Sequence, residues 1–199
     1  CPGCHAELLS DLANMELVPL PVLMHEAGLQ HCGDDVISVH DSCKDRMGPF
    51  GPAVRSIMGG HPRLEMEHHG LNTICCGSGG MVSSVDPALY AERGRARLQE
   101  FHSTGAECLI TSCVTCGYAL SVQSQPGEVL HYLELLFGTR IDWGQVRMNQ
   151  QAMWDGERGV IAAGLLEQAR CFTGWELSGP ASLAGQEVHA QNFRRFVEQ

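Results

Sequence analysis

Basic residues are scarce: 13 Lys and Arg stand against 23 Asp and Glu, for a net charge of −10. A phosphate-binding surface would have to be a local exception to that field, so nucleic acid is not an expected partner. Long apolar runs are also missing. The longest uncharged one in the second half, Gly159 to Leu166, falls far short of the roughly 20 residues needed to cross a bilayer, and the chain does not read as membrane-spanning. No low-complexity tract occurs. There is no G-x-G-x-x-G fingerprint for a flavin or nicotinamide and no run of closely spaced ferredoxin-type cysteines. The first residue is Cys1 rather than Met, with no charged and apolar leader after it, so no targeting segment is read and the chain looks like a piece of a longer one.

What is present in quantity is cysteine and glycine, 10 and 23 of 199 residues. With 44% hydrophobic and 18% charged residues, the composition is that of a globular chain of one to two domains. The cysteines include a vicinal pair and two Cys-x-x-Cys motifs, a pattern that suits metal or redox chemistry in a reducing compartment better than a secreted disulfide framework. A self-comparison aligns Cys1-Pro2-Gly3-Cys4 with Cys113-Val114-Thr115-Cys116. It also aligns Val22-Leu23-Met24-His25-Glu26 with Val129-Leu130-His131-Tyr132-Leu133-Glu134, the signature of a duplication.

Between the copies, Asp35–His40 is a β-branched run that predicts a buried strand, and Pro52–Met58 predicts a short helix closed by Gly59-Gly60. Arg63–Glu67 alternates like a half-buried strand. Asp86-Pro87 sets the N-cap and first turn of a long helix running through Phe101, with Leu89, Leu98 and Phe101 inward and its arginines outward, stopped by Gly105. Glu107–Thr111 predicts a further strand. Alternating strands and helices imply an α/β fold with a mostly parallel sheet flanked by helices. In such sheets ligands sit beyond the carboxyl ends of the strands, where Cys43 and Cys113 fall and where the loop Cys75-Cys76-Gly77-Ser78-Gly79-Gly80 could join them. Residues 1–30 read as the end of a first, truncated repeat, 31–141 as a complete second domain, and 142–199 as a helical appendage with amphipathic stretches at Ile161–Leu166 and Phe172–Leu177.

Cys43, Cys75, Cys76, Cys113 and Cys116 form the spacing C-x31-CC-x36-C-x2-C. Thiolates are the ligands that soft metals and iron-sulfur clusters demand. A tetrahedral zinc ion uses four, whereas a multi-iron cluster can use five. These residues, with His40-Asp41-Ser42-Cys43, Glu65-Met66-Glu67 and Val129–Leu136, resemble the cysteine-rich CCG domain. That domain occurs in tandem in heterodisulfide reductase subunits B and D, and related proteins include iron-sulfur subunits of glycolate, lactate and anaerobic glycerol 3-phosphate oxidation. The resemblance covers the second copy from about Asp35 to Gly138, but only Cys1 to Leu29 of the first.

It implies a Rossmann-like domain and a noncubane 4Fe-4S cluster on Cys43, Cys75, Cys76, Cys113 and Cys116, at which a disulfide or sulfur substrate is reduced or formed. Cys1 and Cys4 match metal positions of the first copy. The expected setting is a cytoplasmic complex, with attachment to the inner membrane through other subunits as the alternative. Its expected partners are iron-sulfur, flavin or quinone-reactive subunits and a small disulfide or sulfur-carrier protein. Two other readings stand beside this one: an electron relay from a glycolate, lactate or glycerol 3-phosphate dehydrogenase toward quinone, and a zinc-stabilised structural module. No side chain is required as a nucleophile. His40 and Asp41, with His68 and His69 behind them, are candidate proton donors. Cys32, Cys108 and Cys171 read as structural, and His25 and His131 as satisfied core groups.

Overall fold

The computed structural model describes residues 1–11, 16–79, 82–153, 156–157 and 159–160. Gly80, Cys171 and the two amphipathic stretches expected after residue 160 lie outside the described residues. The chain divides into two units, Cys1–Ile141 and Asp142–Gln199.

The first unit opens with helices α1 (Pro2–Asp11) and α2 (Leu20–Glu26), followed by strand β1 (Ile37–His40) and a 3-10 turn at Cys43–Asp45. Helix α3 (Phe50–Ile57) and a second 3-10 turn at Gly70–Asn72 come next. Helices α4 (Val82–Val85) and α5 (Pro87–Thr104) then precede β2 (Cys108–Thr111) and α6 (Val114–Ser121), and the unit ends with β3 (Val129–His131) and α7 (Tyr132–Phe137). In the second unit, α8 (Trp143–Met153) is the described helix.

The three strands are parallel in the order β1-β2-β3, so the α/β fold expected from the sequence is the fold observed. Register aligns Val39, Ile110 and Leu130 in one row and His40, Thr111 and His131 in the next. Side chains alternate across a strand, so adjacent rows serve opposite faces. Val39, Ile110 and Leu130 pack with Val54, Ile57 and Leu135 of α3 and α7. Leu109 and Val129 pack on the other face with Leu98, Phe101, Leu120, Cys76, Cys113 and Cys116. Helices cover both faces, and the strands therefore read as continuous apolar runs.

Helix α5 begins where its signals place it. The Asp86 side chain accepts from the Leu89 backbone N–H at 2.9 Å, and Gly105 ends the helix with φ +78°. Leu98 and Phe101 are buried, each contributing about 2–3 kcal/mol of apolar transfer. Two details depart from expectation: Leu89 is 38% exposed, and Arg97, expected outward with Arg93 and Arg95, is fully buried. Arg63–Glu67 does not form a ladder strand. It makes a single bridge between Arg63 and Ile37, because Pro62 has no N–H to extend the pairing and Arg63 and Glu65 turn outward. Strand β3 was not anticipated, since three residues are too few for a period to declare itself.

Candidate metal centre

The cysteines are positioned by strand ends. β1 ends at His40 and the chain turns within three residues to Cys43, while β2 ends at Thr111 and Cys113 becomes the N-cap of α6. A Cys-x-x-Cys on the first turn of a helix brings both sulfurs to the same end of it, and Cys116 lies one turn inside α6. The loop before α4 delivers Cys75 and Cys76 from across the same edge. Sγ of Cys43 lies 3.7 Å from Sγ of Cys75, and Sγ of Cys76 lies 3.3 Å from Sγ of Cys116. Cys75 and Cys76, like Cys113 and Cys116, interact directly through their side chains, so all five cysteines form one continuous sulfur chain. Cys76, Cys113 and Cys116 are buried, whereas Cys43 and Cys75 are half-buried and form the open side.

The loop carrying the vicinal pair is anchored by Asp41. Its carboxylate receives two hydrogen bonds from Arg55, at 2.6 and 2.8 Å, and one from the Gly70 N–H at 2.7 Å, while its carbonyl accepts from the Thr73 hydroxyl at 2.8 Å. Burial works to raise the Asp41 pKa, but Arg55 and the Gly70 N–H outweigh it and hold the carboxyl below its ordinary value. Asp41 is thereby an ionised anchor, not the proton donor suggested by its place beside His40. Gly77 then turns the loop with φ +89°, and its N–H donates to Sγ of Cys75 at 3.3 Å. A Cβ there would stand 2.8 Å from Cβ of Arg93 and 3.1 Å from the Tyr90 carbonyl, so glycine is required on two counts.

From Cys75 through Cys76 and Cys116 to Cys113, the thiols are pushed alternately up and down. Hydrogen bonds from Cys116 and Cys75 push the Cys76 thiol well down, while Cys75 is pushed up by its bond with Cys76 and by burial, and Cys116 by its bonds with Cys113 and Cys76 and by burial. Cys113 is brought down to about 5 by its bond with Cys116, against burial, with the Thr115 and Cys116 backbone N–H groups helping. Without a cation, then, each ionised sulfur leans on a protonated neighbour. Five thiolates at this spacing require positive charge among them, and all five are free, with sulfurs 3.7 Å (Cys43–Cys75) and 3.3 Å (Cys76–Cys116) apart where a disulfide bond is ~2.05 Å. The donor set therefore fits a thiolate-bound metal group that can use more than four sulfurs.

The remaining expected residues are less uniform. Cys1 is exposed on the approach to α1, with Sγ 3.8 Å from Sγ of Cys113, and Cys4 is exposed. Cys32 is exposed and pairs its backbone with Gly60, and Cys108 is half-buried at the start of β2. His131 is the satisfied core group expected: Nε2 meets the Ser112 carbonyl at 3.2 Å, and its ring caps α7 with Glu134 reciprocating. His25 is exposed on α2, so the two aligned histidines have different surroundings. His68 is exposed against Glu100, and His69 bonds the Met66 carbonyl at 2.7 Å. Sequence reasoning missed Arg55 and Arg97; no spacing rule points from either to the cysteines.

His40 is 1% exposed. A nitrogen of its ring, Sγ of Cys76 and Sγ of Cys116 all lie within 4.8 Å of one another. Its Nδ1 accepts from Nε of Arg97 at 2.9 Å.

Residues 37–121, from β1 through α6 with all five cysteines, match the cysteine-rich domain family CCG. Over 123 residues the chain is 28% identical to an uncharacterized iron-sulfur protein of Methanocaldococcus jannaschii, an alignment that covers 59% of this chain and 25% of that protein. The chain thus spans about a quarter of that relative's length. Among the described residues no helix is long and apolar enough to cross a membrane.

Proposed function

We propose that this chain is an iron-sulfur oxidoreductase subunit of the heterodisulfide reductase type, in which Cys43, Cys75, Cys76, Cys113 and Cys116 hold a noncubane 4Fe-4S cluster. Electrons pass there to or from a disulfide or related sulfur substrate. The observation that carries the reading is the continuous chain of five free thiols at the carboxyl edge of a parallel sheet, one more than a tetrahedral zinc ion can use. The CCG domain and the iron-sulfur relative support the coarser part of it, an iron-sulfur electron-transfer role.

Bound at this set, the cluster supplies one-electron steps to a disulfide whose cleavage takes two. The chain's own residues divide the remaining work. Cys76, Cys113 and Cys116 form the buried wall, and packing against Leu98, Phe101 and Leu120 excludes water from it. Cys43 and Cys75 form the half-exposed side, where a substrate sulfur can approach and solvent can supply protons to leaving thiolates. Arg55 and Asp41 hold the vicinal-pair loop against the end of β1. Electrons come from, or go to, partner redox subunits in a cytoplasmic complex.

The test is anaerobic reconstitution of the chain with iron and sulfide, followed by iron, acid-labile sulfide and zinc analysis. Iron and sulfide in comparable amounts, with an electron paramagnetic resonance signal on reduction, are expected. Stoichiometric zinc without sulfide would overturn the reading in favour of a structural module. Disulfide reduction by the loaded chain with its redox subunits and an artificial one-electron donor then separates a substrate site from a relay.

A further inference from the structure

Two buried side-chain nitrogens beside the sulfur chain have no hydrogen-bond partner: Nε2 of His40 and Nη2 of Arg97. They belong to residues bonded to each other, Nε of Arg97 donating to Nδ1 of His40 at 2.9 Å. Buried polar atoms are nearly always satisfied, so a bonded pair with two open donors calls for an explanation.

The chemistry of the pair leaves one arrangement. A guanidinium carries only donors and stays charged. Arg97 is clamped by Nη1 on the His68 carbonyl at 2.8 Å and on Glu100 at 2.7 Å, so its Nε–H is committed to the histidine. Nδ1 must therefore be the accepting nitrogen, and the ring proton sits on Nε2. A metal-bound histidine needs the reverse, with a lone pair on the ligating nitrogen and an N–H on the other directed at a carbonyl or carboxylate. Acting as an acid is equally closed: loss of the Nε2 proton would leave an imidazolate, and a second proton on Nδ1 would oppose the Arg97 N–H. What remains is a fixed N–H beside two sulfurs.

We infer that His40, locked by Arg97 as the Nε2–H tautomer, is a positioning residue that offers this N–H to the sulfurs of Cys76 and Cys116 and is neither a metal ligand nor a proton donor. The inference deepens the cluster reading and rests on it only for the electrochemical consequence. Hydrogen bonds to cluster sulfurs raise reduction potentials by offsetting negative charge, so His40 together with the buried Arg97 cation tunes the site toward the reduced state.

The experiment uses the full chain with 15N-labelled histidine, in the metal-free reduced form and after anaerobic loading. In the metal-free form at neutral pH, long-range proton–nitrogen correlation, assigned by the peak lost in His40→Gln, should show the Nε2–H tautomer. The Nδ1–H tautomer would overturn the inference. In the loaded form, pulsed electron paramagnetic resonance should show only weak 15N coupling, whereas a strong coupling would make His40 a ligand and overturn it. His40→Leu should lower the reduced-to-oxidised ratio at fixed potential by about tenfold, equivalent to about 59 mV for a one-electron couple. His40→Gln, whose amide can still donate, should recover most of that shift. Equal potentials in wild type and His40→Leu would also overturn it. A chain that takes up no iron or sulfide would sink the cluster reading instead, and the histidine spectrum would still decide this one.

Discussion

The two Cys-x-x-Cys motifs read alike and are built differently. Cys113 and Cys116 follow β2, cap and enter α6, and are buried against the sheet. Cys1 and Cys4 sit at the start of α1, and both are exposed. A helix N-terminus alone therefore does not make a thiolate site. In the second motif the preceding strand fixes where the helix begins, burial concentrates the backbone N–H field, and a facing loop supplies more sulfur. The same contrast separates the histidines that end β1 and β3. His131 is satisfied by Ser112 and Glu134, while His40 keeps one nitrogen open toward sulfur.

The largest effect expected is on loading. Cys116→Ala should reduce iron and sulfide uptake by more than the roughly 10–100-fold typical of losing an outer-shell partner. Cys4→Ala should leave uptake unchanged. Equal losses from the two substitutions, measured as iron and sulfide per chain after anaerobic reconstitution, would erase the distinction between the motifs.

Next comes the anchor that the first motif lacks. Arg55→Ala leaves Asp41 buried without its cation and should destabilise the domain by about 3 kcal/mol, read by urea denaturation at neutral pH. The sign with pH follows from the lowered Asp41 pKa. Its contribution is fully present above the ordinary carboxylate value of 3.8 and is lost as pH falls through the lower folded-state value. The stability gap between wild type and Arg55→Ala should therefore shrink on acidification, and a gap that widens in acid would show that Asp41 is not the group held by Arg55.

A smaller and local effect separates the loop's glycines. Gly77→Ala meets Arg93 and Tyr90 at positive φ and should cost about 1–3 kcal/mol. Gly79→Ala meets nothing within 4 Å and should be close to neutral. Thermal midpoints of the two variants make the comparison.

What the sequence made legible were features with a local cause. Asp86-Pro87 and Gly105 bound α5 through capping and a left-handed turn, and β-branched runs marked β1 and β2. The cysteine spacing marked the site because strand ends and a loop are local units that converge wherever a parallel sheet forms. Arg97 was misplaced because an arginine on a helix is ordinarily solvated. Its burial depends on three acceptors, His40, the His68 carbonyl and Glu100, two of which come from distant segments. Arg55 was missed for the same reason, since it acts through Asp41, 14 residues earlier. Arg63–Glu67 misled because alternation also arises when charged side chains pair outward beside a proline.

The finest test of the comparison is Cys1, whose sulfur meets the second motif. Its sulfur is 3.8 Å from that of Cys113, which keeps the Cys116 thiol and the backbone N–H groups of α6 as partners. An exposed S–H is a weak donor, so Cys1→Ala should remove about 0.5 kcal/mol of support from the Cys113 thiolate. In the metal-free chain that corresponds to a change of no more than about threefold in the alkylation rate of Cys113 at neutral pH, followed by mass spectrometry. Iron uptake should hold. If Cys1→Ala instead empties the site, Cys1 is a ligand, and the two motifs are parts of a single sulfur set.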